Sequence, residues 1–171
     1  MWCESFFTTT GLRAVGSSFT VYRGNGFWAR DWLLATWLEA LADVIPGDAP
    51  PWLHDAQQYW RHQARTGFLG CIDADLDGTV SSPDRVATVL GLAGEALALL
   101  VRVADGTGHV PAAWLNQRHV AGDDPWCRDL DPGHMRQVAG VFTALLRGEL
   151  LTTAATSPVL PSPNAGPPVA G

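Results

Sequence analysis

Apolar residues recur with helical spacing through the middle of the chain, most clearly between residues 27 and 45. Leu33 and Trp37 widen an apolar stripe that leaves few polar positions in this segment. Such a pattern predicts a largely buried helix, and the Pro46-Gly47 pair that follows it is typical of a helix end. The stripe itself consists of Trp28, Trp32, Leu34, Leu38, Leu41 and Ile45.

Further segments show helical patterns with different balances of apolar and polar residues. Residues 52–69 divide into an apolar and a polar face, which predicts an amphipathic helix. Residues 83–104 are more continuously apolar and predict the main core helix. A short helical turn is expected at residues 111–116, and a last helix is expected to begin at Asp131-Pro132, because proline suits the first helical position.

Only the N-terminal part of the chain favours extended structure. Residues 8–23 are rich in Thr, Ser and Gly, and residues 19–22 suggest a short strand or an extended arm. One such segment is too little for a sheet. The sequence therefore predicts a mainly α fold of the all-α class, with one domain over residues 1–154. This domain is expected to be a compact bundle of about four long helices with a short extended N-terminal arm. Residues 155–171 contain five prolines and no charge, which predicts a disordered tail.

The most specific chemical pattern lies between the second and third predicted helices. Asp73, Asp75 and Asp77 stand at alternate positions, Gly78 follows them, and Asp84 adds another carboxylate. This pattern resembles the calcium-binding loop of EF-hand proteins, and its final aspartate resembles the dockerin type of that loop. The resemblance implies a turn at Gly78 and calcium ligands at Asp73, Asp75, Asp77, Thr79 (through its carbonyl), Ser81 and Asp84.

A second interpretation of the same residues needs no metal. Aspartate and glycine are common in turns because the short carboxylate bonds nearby amides and glycine accepts a positive φ. Ser82 and Pro83 are typical of a helix start, and Asp84 would face the positive end of the helix dipole. Leu76 and Arg85 also depart from the EF-hand pattern. An EF-hand loop is normally polar at the position of Leu76 and apolar at the position of Arg85. An acidic turn between helices is therefore the alternative to a calcium site.

Composition limits the classes of partner. The chain has 171 residues, a formal charge of −6 and no lysine, so its surface should be acidic and unsuited to nucleic acid. Cys3, Cys71 and Cys127 are odd in number and widely spaced, which makes them a poor disulfide framework and favours reduced thiols in the cytoplasm. No secretory signal is visible, and no uncharged stretch reaches the ~20 residues that span a bilayer, so a membrane partner is not expected.

No catalytic constellation is visible in the sequence. The G-x-S-x-G pattern of a serine nucleophile is absent, and the five histidines stand in no zinc motif. The carboxylates near Cys71 should raise the pKa of its thiol and make it a poor nucleophile. A metal-dependent enzyme built around the aspartate cluster is nevertheless kept as an alternative.

Two segments are candidates for contact with a protein partner. The eight tryptophans are mostly expected in the core, whereas the aromatic and polar residues of two predicted loops are expected at the surface. The candidate contact residues are Tyr22, Arg23, Asn25, Phe27, Asp123, Asp124 and Trp126. We therefore expect a small acidic, non-catalytic binding or regulatory protein with a protein partner and calcium as its candidate ligand. The main alternative is an immunity- or antitoxin-type protein that neutralises a basic partner without calcium.

Overall fold

The computed structural model describes residues 16–66, 71–105, 107–117 and 131–162. Six helices and three strands lie within these ranges. The fold is therefore α/β, and the prediction of an all-α bundle of about four long helices is wrong. In chain order the elements are β1 (Ser17–Tyr22), β2 (Asn25–Arg30), α1 (Asp31–Asp43), α2 (Pro51–Thr66), α3 (Leu76–Thr79), α4 (Pro83–Ala104), α5 (Ala112–Gln117), α6 (Pro132–Leu146) and β3 (Val159–Leu160).

The sheet begins with a β-hairpin rather than with a single extended arm. Strands β1 and β2 pair antiparallel, with Phe19 opposite Trp28. Arg23 and Gly24 form the two-residue turn with φ values of 50° and 81°, the positive values that match the twist of a hairpin. The helix predicted from residue 27 therefore starts only at Asp31, because the apolar residues just before it belong to β2.

A third strand closes the other edge of β2. Strand β3 pairs with β2 in parallel, and Trp28 lies opposite Val159. The Nε1 of Trp28 also donates to the carbonyl of Ala154 at 2.8 Å. The prediction of disorder from residue 155 is thus wrong for residues 155–162, because this segment contains β3, which forms hydrogen bonds with the edge of β2. The composition of the tail does not indicate this pairing. Residues 163–171 lie outside the described ranges.

Helix α1 is the centre of the molecule. It packs against the sheet and against α2, α4 and α6, and every residue from 33 to 42 is buried. Trp37 meets Phe142 of α6 edge to face, with 5.6 Å between the ring centroids. This geometry is favourable for aromatic pairs and adds to the apolar burial.

The longer helices after α1 begin close to where the sequence predicts. Helix α4 starts at Pro83 with Ser82 as its N-cap, and α6 starts at Pro132 with Asp131 accepting a hydrogen bond from the His134 amide at 2.9 Å. Helix α2 buries one face, as an amphipathic helix should. Local capping chemistry therefore positions these helices.

An ionic contact between a buried glutamate and two partly exposed arginines joins α1 to α2. Glu39 of α1 is 0% exposed, and its Oε1 accepts from the Nε of Arg65 at 2.8 Å. Arg61 lies 3.9 Å from the other carboxylate oxygen. Burial raises the pKa of Glu39, and the hydrogen bond and charge of Arg65 partly oppose that rise.

Helix α4 is unusual in its exposure. By length and composition alone it would suffice to cross a membrane, and among the described residues it is the one helix that is long and apolar enough. Only 28% of its most apolar 18-residue window is buried within the chain. Much of this apolar helix therefore lies at the surface.

Candidate binding surface

The three alternate aspartates belong to a segment whose side chains point alternately inward and outward. Ile72, Ala74 and Leu76 are buried, whereas the aspartates that follow each of them are exposed. We call residues 73–79 the acidic segment. Its alternation of acid and apolar residues follows from one side facing the core, and this explains why Leu76 stands where an EF-hand loop is polar.

Long-range hydrogen bonds fix the buried side of this segment. Trp60 of α2 donates from Nε1 to the carbonyl of Ala74 at 2.9 Å. Ser18 of β1 accepts from the Ile72 amide at 2.9 Å, and the Tyr22 hydroxyl donates to the carbonyl of Val80 at 3.0 Å. The hairpin and α2 therefore hold both ends of the acidic segment in place.

The aspartates themselves bind backbone amides. Asp73 Oδ1 accepts from the amide of Asp75 at 2.8 Å, and Asp75 Oδ1 accepts from the amide of Gly78 at 3.3 Å. Asp77 Oδ1 accepts from the amide of Arg23 at 2.9 Å. The Oδ2 atom of each aspartate has no hydrogen-bond partner among the described residues. Each carboxylate is thus anchored to a backbone amide through one of its two oxygens.

Gly78 is needed for close packing rather than for a positive φ. A Cβ at this position would lie 2.5 Å from Asp75 Oδ2. The positive φ of the segment, 42°, belongs instead to Asp75, and Gly78 lies within α3. The backbone therefore differs from the EF-hand pattern, in which glycine makes the sharp turn at the sixth position.

The remaining predicted calcium ligands are dispersed. The Thr79 carbonyl accepts from the guanidinium of Arg85 at 3.2 Å, and that guanidinium lies over the ring of Trp52. Ser81 is exposed, and Asp84 lies exposed in the first turn of α4. Within the described ranges, no three His, Cys, Asp or Glu side chains are grouped so that they would hold a metal ion. The calcium site stays a prediction.

The acidic segment contacts α2 and changes the electrostatic environment of Tyr59 on that helix. The pKa of Tyr59 is raised, first by burial and then by the negative charges of Asp73 and Asp75. Gln63, one helical turn later, accepts from the amide of Asp73 at 3.0 Å. We call Asp73, Asp75 and Asp77, together with Tyr59 and Gln63 beside them, the acidic surface.

The predicted partner-contact residues of the hairpin do not form one surface. Tyr22 and Phe27 are 3% and 1% exposed, so they belong to the core, because both project from the inner face of the hairpin. Arg23 is exposed, with its guanidinium over the ring of Tyr22, and Asn25 is half-buried. The other predicted contact residues, Asp123, Asp124 and Trp126, lie outside the described ranges.

The state of Cys71 differs from the one that its sequence context predicts. This residue is disulfide-bonded, so it has no titrating thiol, and the expectation of a free cysteine with a raised pKa is wrong. Its bonding partner lies outside the described residues. The disulfide restrains the chain directly before Ile72 and therefore adds a covalent anchor next to the acidic segment.

Comparisons with known proteins identify no relative of this chain. No protein-family model matches it, and neither the curated proteins nor the solved structures give a match.

Proposed function

We propose that this is a non-catalytic binding protein that recognises a basic protein partner through the acidic surface. The observation that carries the proposal is the arrangement of Asp73, Asp75 and Asp77. Each is exposed, each is anchored to a backbone amide through Oδ1, and each keeps Oδ2 free among the described residues.

Anchoring matters because a binding group that is already ordered loses less conformational entropy when its ligand arrives. The hydrogen bonds of Ile72, Ala74 and Val80 to β1 and α2 hold the backbone of the segment in the same way. The carboxylates are therefore presented in a defined pattern, which favours recognition of arginine or lysine side chains over diffuse attraction.

The net negative charge of the whole chain also favours a basic partner. A net charge of −6 attracts basic proteins over a distance of about one Debye length, ~8 Å at physiological salt, and raises the rate of encounter. An immunity- or antitoxin-type role is one case of this proposal, since such a protein would neutralise a basic partner with this surface.

The test is affinity capture from source cells with three baits: the wild-type chain, Asp73→Asn/Asp77→Asn, and Asp48→Asn/Asp105→Asn. Asparagine keeps the Oδ1 acceptor that each anchored aspartate provides, so the first variant removes charge while preserving the backbone hydrogen bonds. The second variant removes the same charge at two other exposed positions. Asp105 follows the last residue of α4, a full 22-residue helix away from the acidic segment.

Mass spectrometry should find a basic protein that is retained by the wild type and by the control variant and is lost with Asp73→Asn/Asp77→Asn. Equal retention by all three baits would reject the acidic surface as the binding site. Equal loss in both variants would show that net charge alone, rather than this surface, governs capture.

Calcium is the second candidate ligand. The free Oδ2 atoms of Asp73, Asp75 and Asp77 are the observation that favours it, because hard cations take carboxylate oxygens. Calorimetric titration of calcium into chelator-treated protein tests this candidate, with Asp73→Ala/Asp77→Ala as the comparison. Saturable one-to-one heat that disappears in the variant supports a calcium site, and no heat at millimolar calcium rejects it.

A further inference from the structure

Strand β1 forms an open edge of the sheet. The strand order is β1-β2-β3, so among the described residues β2 pairs on both sides and β1 pairs with β2 alone. Phe19 and Val21 of β1 stand opposite Trp28 and Gly26 of β2. The amides of Gly26 and Trp28 donate to oxygens in residues 152–157, on the side of β2 that faces away from β1. These two pairs of opposite residues therefore do not exchange hydrogen bonds.

The backbone groups of Phe19 and Val21 point outward from this edge. In an antiparallel pair, residues that exchange no hydrogen bonds with the residues opposite direct both their N–H and their C=O away from the partner strand. Within the described residues, none of these four groups has a hydrogen-bond partner. A row of such groups is a template for one more strand, since an extended backbone supplies donors and acceptors at the same spacing.

The acidic segment lies on the side of the molecule where the sheet is open. Helix α6 packs against β2 and β3, whereas α3, which contains Asp77, packs against β1. The Ile72 amide donates to Ser18 near the start of β1, and the Arg23 amide, directly after the end of β1, donates to Asp77. The acidic segment therefore runs alongside β1 in the same direction, and its exposed carboxylates border the open edge.

An added strand would meet a different surface on each of its two faces, because successive side chains of a strand point to opposite sides. On the outer face of the sheet it would lie beside Val21, which is 37% exposed, and beside Phe19, whose ring contacts Trp28 with 5.2 Å between the centroids. On the inner face it would lie beside the acidic segment. One face of the edge is thus apolar and the other is negative.

We propose that the basic partner contributes an extended segment in which basic and apolar residues alternate, and that this segment adds to β1 as an antiparallel strand. The inference rests on the proposed function, because it names the part of the partner that meets the acidic surface. The apolar side chains would cover Phe19 and Val21, and the basic side chains would meet the carboxylates of the acidic segment. In this mode of binding, main-chain hydrogen bonds supply affinity and alternate side chains supply specificity.

Charge favours a basic segment over a second copy of this chain. Strand β1 has the sequence SSFTVY and carries no basic residue that could meet the acidic segment of another copy. A sheet continued across two copies would also place two acidic segments side by side, and their carboxylates would repel one another. Arg23 in the turn has its guanidinium over the ring of Tyr22, 4.9 Å from the centroid, so the edge keeps three carboxylates against one guanidinium.

The first experiment measures the binding of a fluorescent eight-residue peptide of alternating arginine and valine by anisotropy at physiological salt. In an antiparallel pair, the peptide residues opposite Phe19 and Val21 share their face, so these residues are the valines and their amides point to β1. N-methylation of the valine amides should raise the dissociation constant about ten-fold or more, because it removes at least two hydrogen bonds. N-methylation of the arginine amides, which point away from β1, is the matched control and should have a much smaller effect.

Variants of the chain test the same contact from the other side. Val21→Pro removes an amide that points out of the edge and takes no hydrogen bond from the pairing of β1 with β2, and proline is tolerated at such edge positions. It should weaken binding of the unmodified peptide several-fold while keeping the circular dichroism of the wild type. Val21→Ala is the matched control, because it trims the side chain but keeps the amide, and it should weaken binding by less than Val21→Pro does.

The contrary results separate this inference from the proposed function. Equal binding of the two methylated peptides, together with weaker binding to Asp73→Asn/Asp77→Asn, would overturn strand addition and leave the acidic surface as the binding site. Unchanged binding of the unmodified peptide to Asp73→Asn/Asp77→Asn would overturn both. A wild-type chain that dimerises in sedimentation equilibrium and becomes monomeric in Val21→Pro would assign the edge to a second copy instead.

Discussion

The backbone amide of Arg23 donates to the carboxylate of Asp77 at 2.9 Å, which joins the turn of the hairpin to a segment 54 residues later in the chain. This contact makes one surface from two parts of the sequence. It also gives Asp77 a structural task that is separable from its charge, since an amide side chain would accept the same hydrogen bond.

Two substitutions at Asp77 should separate these tasks. Asp77→Ala removes the acceptor for the Arg23 amide and should lower the free energy of unfolding by about 0.5–1 kcal/mol, because the amide is exposed and water replaces the carboxylate. Asp77→Asn should change stability by less than that. Urea denaturation of both variants measures the difference, and equal loss in both would show that charge rather than the hydrogen bond matters for stability.

Gly78 should tolerate no side chain. Gly78→Ala would place a methyl group 2.5 Å from Asp75 Oδ2, so the carboxylate that caps α3 must move. Loss of such a cap costs about 1 kcal/mol. Gly47→Ala is the control, since its Cβ meets nothing within 4 Å. Thermal unfolding should show a clear loss for Gly78→Ala only, and similar melting temperatures for the two variants would contradict the packing that we describe.

The hydroxyl groups of the two tyrosines should contribute differently to the stability of the protein. Tyr22→Phe leaves the buried carbonyl of Val80 without its donor and should cost about 1–2 kcal/mol of stability. Tyr59→Phe removes a hydroxyl that makes no hydrogen bond within the described residues and should have little effect. Chemical denaturation tests both variants, and a neutral Tyr22→Phe would argue against the anchoring of the acidic segment through β1.

Glu39 should make stability depend on pH in a specific direction. Its folded pKa lies above the ordinary value of 4.5, mainly because of burial. The folded state therefore favours the protonated form, and the stability that this group contributes is present below pH 4.5 and is lost as the pH rises through the raised pKa. Glu39→Gln imitates the protonated form, so its stability relative to wild type should increase over that range.

The partner of this carboxylate gives a second variant for the same test. Arg65, with its side chain 42% exposed, opposes the rise in the Glu39 pKa. Arg65→Met should therefore destabilise the protein by about 2 kcal/mol at neutral pH and by less in acid, because it leaves a buried charge without its main partner. The double variant Glu39→Gln/Arg65→Met should recover much of that loss. Urea denaturation at several pH values measures all three, and a pH-independent effect of Arg65→Met would contradict this account.

Local chemistry explains which parts of the fold the sequence predicts. The starts of α4 and α6 follow from Ser82-Pro83 and Asp131-Pro132, since an N-cap and a proline act within one turn of helix. The strands depend on distant partners. Residues 27–30 fit the apolar pattern of the following helix, and they become β2 because β1 and β3 pair with both of its edges.

The candidate site shows the same division. The exposed aspartates are visible in the sequence, but their hydrogen bonds to the hairpin are not, because these join residues far apart in the chain. One local signal was present: Ile72, Ala74 and Leu76 alternate with the aspartates, which is typical of an extended segment with one buried face. The EF-hand-like pattern accounts for the acids alone and not for the buried residues between them.

The most direct test of the acidic surface is the affinity of a fluorescent oligo-arginine peptide, measured by anisotropy at physiological salt. The comparison uses the wild type, Asp73→Asn/Asp77→Asn, and the charge-matched Asp48→Asn/Asp105→Asn. Two exposed ion pairs are worth roughly 1 kcal/mol together, so we predict a dissociation constant about five times higher for the first variant and little change for the second. An equal effect of both variants would contradict the account, because it would show that the arranged carboxylates bind no better than the net charge.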